Sequence, residues 1–190
     1  MTPMLLAILL SSSVPTPPPA LPSPTPTPSW DEPSAYKKIP FGLPYAEMEG
    51  RILLTGCRPS TREHESGRRT CDGNGFQANG AAVEDVFFFQ DDLFVGVALT
   101  FASDDYERLR DVFQLKYGEP SRLETTRITT REGTRFDNET LNWDGRKASV
   151  SIQRYADSLD KGAASIFLNS YLEAREKERL EKLKKDADAF

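Results

Sequence analysis

Hydrophobic and polar positions alternate most clearly in AAVEDVFFFQDDLFVGVALTF, residues 81–101. Two β-rich runs flank Gln90, Asp91 and Asp92, which is the pattern of a hairpin. In the second run Leu93, Val95, Val97, Leu99 and Phe101 fall on one face at period two. Phe94, Gly96 and Ala98 line the other face, itself fairly apolar, so a central strand is expected. The period then changes. In SDDYERLRDVFQLKYGEP, Leu109, Val112, Phe113, Lys116 and Tyr117 recur at helical intervals and predict a helix with one core-facing stripe. Ser103 or Asp104 is placed to cap it, and Asp104 with Glu107 has capping-box spacing. Gly118 sits where a helix ends, and Pro120 prevents its resumption.

Three more β-type runs follow at 122–131, 134–143 and 147–155, divided by Gly133 and by Asp144-Gly145. A fourth, 163–170, comes after DSLDKG. Upstream, Pro44 suits a first helical turn; Ala46, Glu47, Met48 and Glu49 extend it, and Gly50 weakens its continuation. DGNGFQANG reads as turns. The tail, SYLEAREKERLEKLKKDADAF, carries Glu-before-Lys pairs at i,i+4 (Glu173/Lys177, Glu178/Lys182, Glu181/Lys185) and a thin apolar stripe, predicting a solvated helix docked by its first turns. The resulting fold class is α+β: a mostly antiparallel sheet of about five to six strands with helices on one face and a charged C-terminal helix.

The N-terminal segment divides the chain. MTPMLLAILLSSS has an apolar run at 4–10, far short of the ~20 residues of a membrane span. Its length and the small residues after it match a secretory signal peptide over 1–13, although no Lys or Arg precedes it. Residues 14–35 are rich in Pro, Thr and Ser and predict an extended, disordered tether. A globular domain over 36–170 and the helical tail over 171–190 complete the expected organisation. The expected location is exported, periplasmic or extracellular, with no stable membrane span in the mature chain.

Charge and chemistry add detail. The net charge of -5 is mild and its signs are interspersed, which argues against a broad nucleic-acid surface. Both cysteines and the only histidine fall in CRPSTREHESGRRTC, residues 57–71. In an oxidising compartment Cys57 and Cys71 are expected to pair, and closing a loop of this length stabilises by roughly 3 kcal/mol. The rival reading is a zinc site from Cys57, His64 and Cys71 with Glu63 or Glu65, serving a metal-assisted enzyme. Its spacing lacks a CxxC pair, and no second histidine is available. Arg58, Arg62, Arg68 and Arg69 gather in the same loop, partly offset by Glu63 and Glu65, and are the candidates for contacting a partner. There is no GxSxG, P-loop or GxGxxG. Asp91/Asp92 and Asp104/Asp105 are assigned to a turn and a helix start, and Trp143 and 87–89 to the core. No catalytic residue and no cofactor are expected.

KIPFGLPYAEME, DDLFVGVALTF, YERLRDVFQLKYGEP, LNWD and ASVSIQRY together resemble small exported bacterial α+β domains, over about residues 39–170. The shared helix-plus-sheet style is also that of outer-membrane lipoprotein assembly factors and inhibitor-like domains, but the lipid-attachment cysteine of the former is absent after the apolar run. The resemblance implies no catalytic residues. The functional expectation rests instead on the leader, the tether, the clasped charged loop and the lack of a catalytic set: a non-catalytic module that binds a protein partner in the cell envelope.

Overall fold

The computed structural model describes residues 30–48, 51–60 and 65–188. The expected signal peptide, most of the expected tether, and Arg62, Glu63 and His64 lie outside the described residues. A small hairpin, β1 (Ala35–Tyr36) and β2 (Ile39–Pro40), leads to α1 (Tyr45–Met48). Then come β3 (Thr55–Pro59), β4 (Arg68–Asp72), β5 (Phe76–Ala78), β6 (Ala81–Gln90) and β7 (Leu93–Ala102). Helix α2 (Tyr106–Tyr117) is followed by β8 (Arg122–Thr129), β9 (Arg135–Asp144), β10 (Ala148–Gln153), β11 (Lys161–Leu168) and α3 (Asn169–Ala187).

Nine strands form one antiparallel sheet in the order β3-β4-β6-β7-β11-β10-β9-β8, with β5 pairing β6 beyond the end of β4. The α+β class stands, but the sheet is larger than the five to six strands expected. The additional strands β3, β4 and β5 occupy the segments read as a polar loop and as turns. They lack a long alternating apolar pattern and are strands because their backbones pair with a neighbour.

Two-residue turns with both φ angles positive join β1 to β2 at Lys37 and Lys38, β5 to β6 at Asn79 and Gly80, and β6 to β7 at Asp91 and Asp92. This is the type I′ geometry whose twist matches that of paired strands. The Asp91/Asp92 pair is therefore a turn, as its position suggested. Close to this turn the β6–β7 pairing slips: Phe89 faces Phe94 but Phe88 faces Gly96, leaving Val95 as an extra residue. The bulge overturns the simple alternation expected for β7. Phe94 joins Val97, Leu99 and Phe101 in the main core, Val95 turns to the opposite face, and Leu93 is exposed.

The main core lies between α2 and one face of the sheet. Tyr106, Leu109, Phe113 and Tyr117 of α2 pack over Leu99, Phe101, Trp143 and Ile152. Trp143 is fully buried and donates its Nε1 hydrogen to the Gly118 carbonyl at 2.9 Å, tying the end of α2 to β9. Gly118 has φ of 79° and closes the helix with an N–H bond to the Gln114 carbonyl. The start of α2 differs from the expected capping box. A 3-10 turn over Ser103–Asp105 precedes it, no side chain caps it, and the Ser103 hydroxyl donates to the Leu159 carbonyl instead.

Helix α3 corrects the placement of helices on one face. Ile166 of β11 belongs to the main core, and the alternation of the strand sends Phe167 to the opposite face. There Phe167 stacks on Tyr171 from the first turn of α3 and meets Phe88 and Val95. Gly96 makes room for this. A methyl group there would lie 2.1 Å from the Phe167 ring and 2.6 Å from the Ile166 carbonyl oxygen.

Order also begins inside the 14–35 segment. Trp30 is buried edge-on against Tyr117. The Glu32 carboxylate accepts backbone hydrogens from Ala148 at 2.6 Å and from Lys147. Its pKa lies below the ordinary glutamate value: desolvation pushes it up, but the hydrogen bonds from Ala148, Lys147 and Arg146 outweigh that.

Candidate functional site

Strand β3 is the outer strand of the sheet, and four of its five residues are exposed. It contributes almost no apolar burial, so something else must hold it in place. Cys57 of β3 is disulfide-bonded to Cys71 of β4. Cys71 is fully buried and its strand is paired with β6 from Arg68↔Gln90 to Asp72↔Val86. The covalent bond thus anchors a polar edge to a strand the core holds rigidly. A disulfide fits an oxidising, non-cytoplasmic setting.

The same bond overturns the metal reading. A cysteine sulfur engaged in a disulfide is not a thiolate, so Cys57 and Cys71 are lost as zinc ligands. The third candidate, His64, lies outside the described residues. Among the described residues no group of three or more His, Cys, Asp or Glu side chains is placed to share a metal ion.

The clasped hairpin presents the arginines to different surroundings. Arg68 turns inward. It is buried, sits 2.6 Å from Glu178 of α3 and 3.8 Å from Glu65, donates to Gln90, and lies over the Tyr171 ring. This arginine docks α3. Arg69 stacks over Tyr45 with its guanidinium 4.3 Å from the ring centre and pairs with Asp92 at 3.2 Å. Arg58 is well exposed and makes a loose pair with Asp72 at 3.4 Å. Arg62 lies outside the described residues.

Between this hairpin and α3 runs a groove of about 520 Å³. Arg58, Arg69 and Arg175 stand around it, with Arg68 beneath and Phe88 and Tyr171 supplying an aromatic wall. Arg175 lies 5.9 Å from the Tyr171 ring centre and has no carboxylate partner among the described residues. Burial raises the Tyr171 hydroxyl pKa, and the charges of Arg175 and Arg68 oppose that rise. Glu65 also lines the groove, where it accepts from Ser60 at 2.5 Å. The result is a concave surface whose exposed charge is mainly guanidinium and whose floor is partly aromatic. Such a surface suits carboxylate-bearing ligands, because the planar guanidinium pairs with carboxylates in two-point geometry and stacks on rings.

Two of the four arginines singled out from the sequence, Arg58 and Arg69, therefore line the groove as surface groups, while Arg68 is spent within the fold. Arg175 and Tyr171 come from a helix more than a hundred residues away along the chain. Their signal was present in the tail as the i, i+4, i+7 series Tyr171, Arg175 and Glu178, which marks one helix face.

No helix among the described residues is long and apolar enough to cross a membrane. Comparison of the chain with protein-family models, with curated proteins and with solved structures finds no match.

Proposed function

We propose that the protein is an exported, non-catalytic interaction module of the bacterial envelope, which binds an acidic segment of a protein partner in the groove between the clasped hairpin and α3. The carrying observation is the convergence of Arg58, Arg69 and Arg175 on a groove walled by Phe88 and Tyr171 and braced by the Cys57–Cys71 disulfide. The leader and the Pro-rich segment suit a domain held away from an envelope surface. An extended peptide alternating carboxylates with aromatic or aliphatic residues would match both features of the groove. The pairing of Arg58 with Asp72 costs little to exchange, because both partners are solvent-exposed, and Asp92 is likewise exposed where it meets the half-buried Arg69.

The test is fluorescence anisotropy with a labelled peptide alternating Glu and Tyr, against the oxidised full chain. Saturable binding is expected, weakened about tenfold by Arg58→Glu with Arg175→Glu and weakened by added salt. Equal affinity for wild type and the double variant would remove the groove from the account.

A further inference from the structure

A second cavity lies on the other side of the molecule, between α2 and the main-core face of the sheet. Its volume is about 170 Å³. Leu99, Phe101, Leu109, Phe113, Val83 and Ile166 form its buried interior. Tyr36, Tyr117 and Ala164 add further buried lining, whereas Phe76 and Val112 are half-buried and Lys37 and Lys116 are exposed, so the lysines mark the solvent-facing side of the cavity. An apolar cavity of ~150 Å³ is large enough to take up benzene. This one therefore has room for an apolar group of about six to eight carbons.

The two lysines differ. Lys37 is neutralised: its Nζ lies 2.7 Å from Asp85, a buried carboxylate that also accepts from the Tyr36 hydroxyl and the Gly75 backbone. Lys37 further rests over the Phe76 ring at 4.0 Å. Lys116 has no carboxylate partner among the described residues, only the Tyr117 ring at 5.0 Å. Although much of its side chain meets solvent, desolvation lowers its pKa. An unpaired ammonium beside an apolar opening gains from an anion placed at the rim. An apolar interior with one unmatched positive charge at its mouth selects for an amphiphile with a negative head.

We infer that the cavity beneath α2 binds a small carboxylate amphiphile, its hydrocarbon end inside the cavity and its carboxylate at Lys116. This site is separate from the arginine groove and does not depend on it.

The experiment uses the full oxidised chain and three probes of equal chain length: octanoate, 1-octanol and octylamine. Binding is followed by backbone amide shifts in two-dimensional NMR and by calorimetry. Octanoate is expected to shift the amides of α2, β7 and β11, with a Kd of about 10–1000 µM. It should bind about tenfold more tightly than octylamine. Lys116→Gln lies on the surface and should fold normally; it is expected to abolish that preference while octanol binding stays unchanged. Ala164→Leu, which pushes side-chain volume into the cavity, is expected to weaken all three probes. Absence of shifts in these elements, or equal affinity for octanoate and octylamine in the wild type, overturns the inference. Shifts confined to Arg58, Arg69 and Arg175 overturn it as well, without touching the reading of the groove.

Discussion

The disulfide is the feature on which the groove depends, and its removal has a calculable effect. Cys57 and Cys71 are separated by 14 positions, so reduction opens a loop of about 15 residues in the unfolded chain. The chain-entropy relation for that length gives about 3 kcal/mol of stabilisation at 25 °C. Replacing Cys57 by Ser and the fully buried Cys71 by Ala avoids leaving a thiol that can re-form the bond. For a domain of this size, a loss of that order lowers Tm by roughly 6–12 °C. The effect should also be local. Strand β3 has almost no apolar burial and would open first, whereas β6 and β7 remain held by the main core. Urea titration of the wild type and the double variant gives the free energy, and native-state hydrogen exchange gives its location. A change below about 1 kcal/mol, or equal protection of β3 in both proteins, would refute the reasoning. Either result would mean that backbone pairing with β4 holds the edge without covalent help.

Further predictions follow from packing and charge. Gly96→Ala should destabilise by about 1–3 kcal/mol in chemical denaturation, because the new methyl group meets the Phe167 ring and a carbonyl oxygen; a change within experimental error would show that Phe167 is free to move aside. Arg68→Ala should cost about 1–2 kcal/mol, less than a fully buried pair because Glu178 is about one-third exposed, and should raise hydrogen exchange along α3 selectively. Glu32→Gln tests a pH dependence. The folded-state pKa of Glu32 is depressed, so its carboxylate stabilises the fold above the unfolded pKa and loses that effect as pH falls through the folded value. The variant should be less stable than wild type by about 0.5–1 kcal/mol at pH 7, with the gap closing in acid; a gap that widens on acidification contradicts the assignment.

Much of the fold was legible where local pattern and tertiary role coincide. The β6–β7 hairpin, the α2 helix with its glycine stop, and the four strands from β8 to β11 follow from period and turn chemistry. Cys57–Cys71 pairing was expected from reading the N-terminal apolar run as an export signal and from the polar loop between the cysteines. What escaped were features that exist only through pairing. TGCRP and RRTCD have no alternating apolar face, and the Lys37-Lys38 turn has neither glycine nor asparagine to announce it. The extra residue at Val95 inverts the facing of one end of β7, and no property of the valine itself marks that position. The groove was half legible. Arg58 and Arg69 stood out as a cluster, but Arg175 joins them only because Tyr171 packs on Phe88 and Phe167 and swings α3 across the sheet. Asp85 reads as one polar position in a strand, yet it is buried and gathers Tyr36, Lys37 and Gly75.

The central claim is that an arginine-rimmed groove, kept in shape by the disulfide, recognises an acidic peptide. One titration tests it most directly: anisotropy of the labelled Glu/Tyr peptide against wild type, against Arg58→Glu with Arg175→Glu, and against Cys57→Ser with Cys71→Ala. The account predicts saturable binding to wild type and a clear loss in both variants, with the charge reversal more severe. Undiminished affinity in the charge-reversed protein would contradict it.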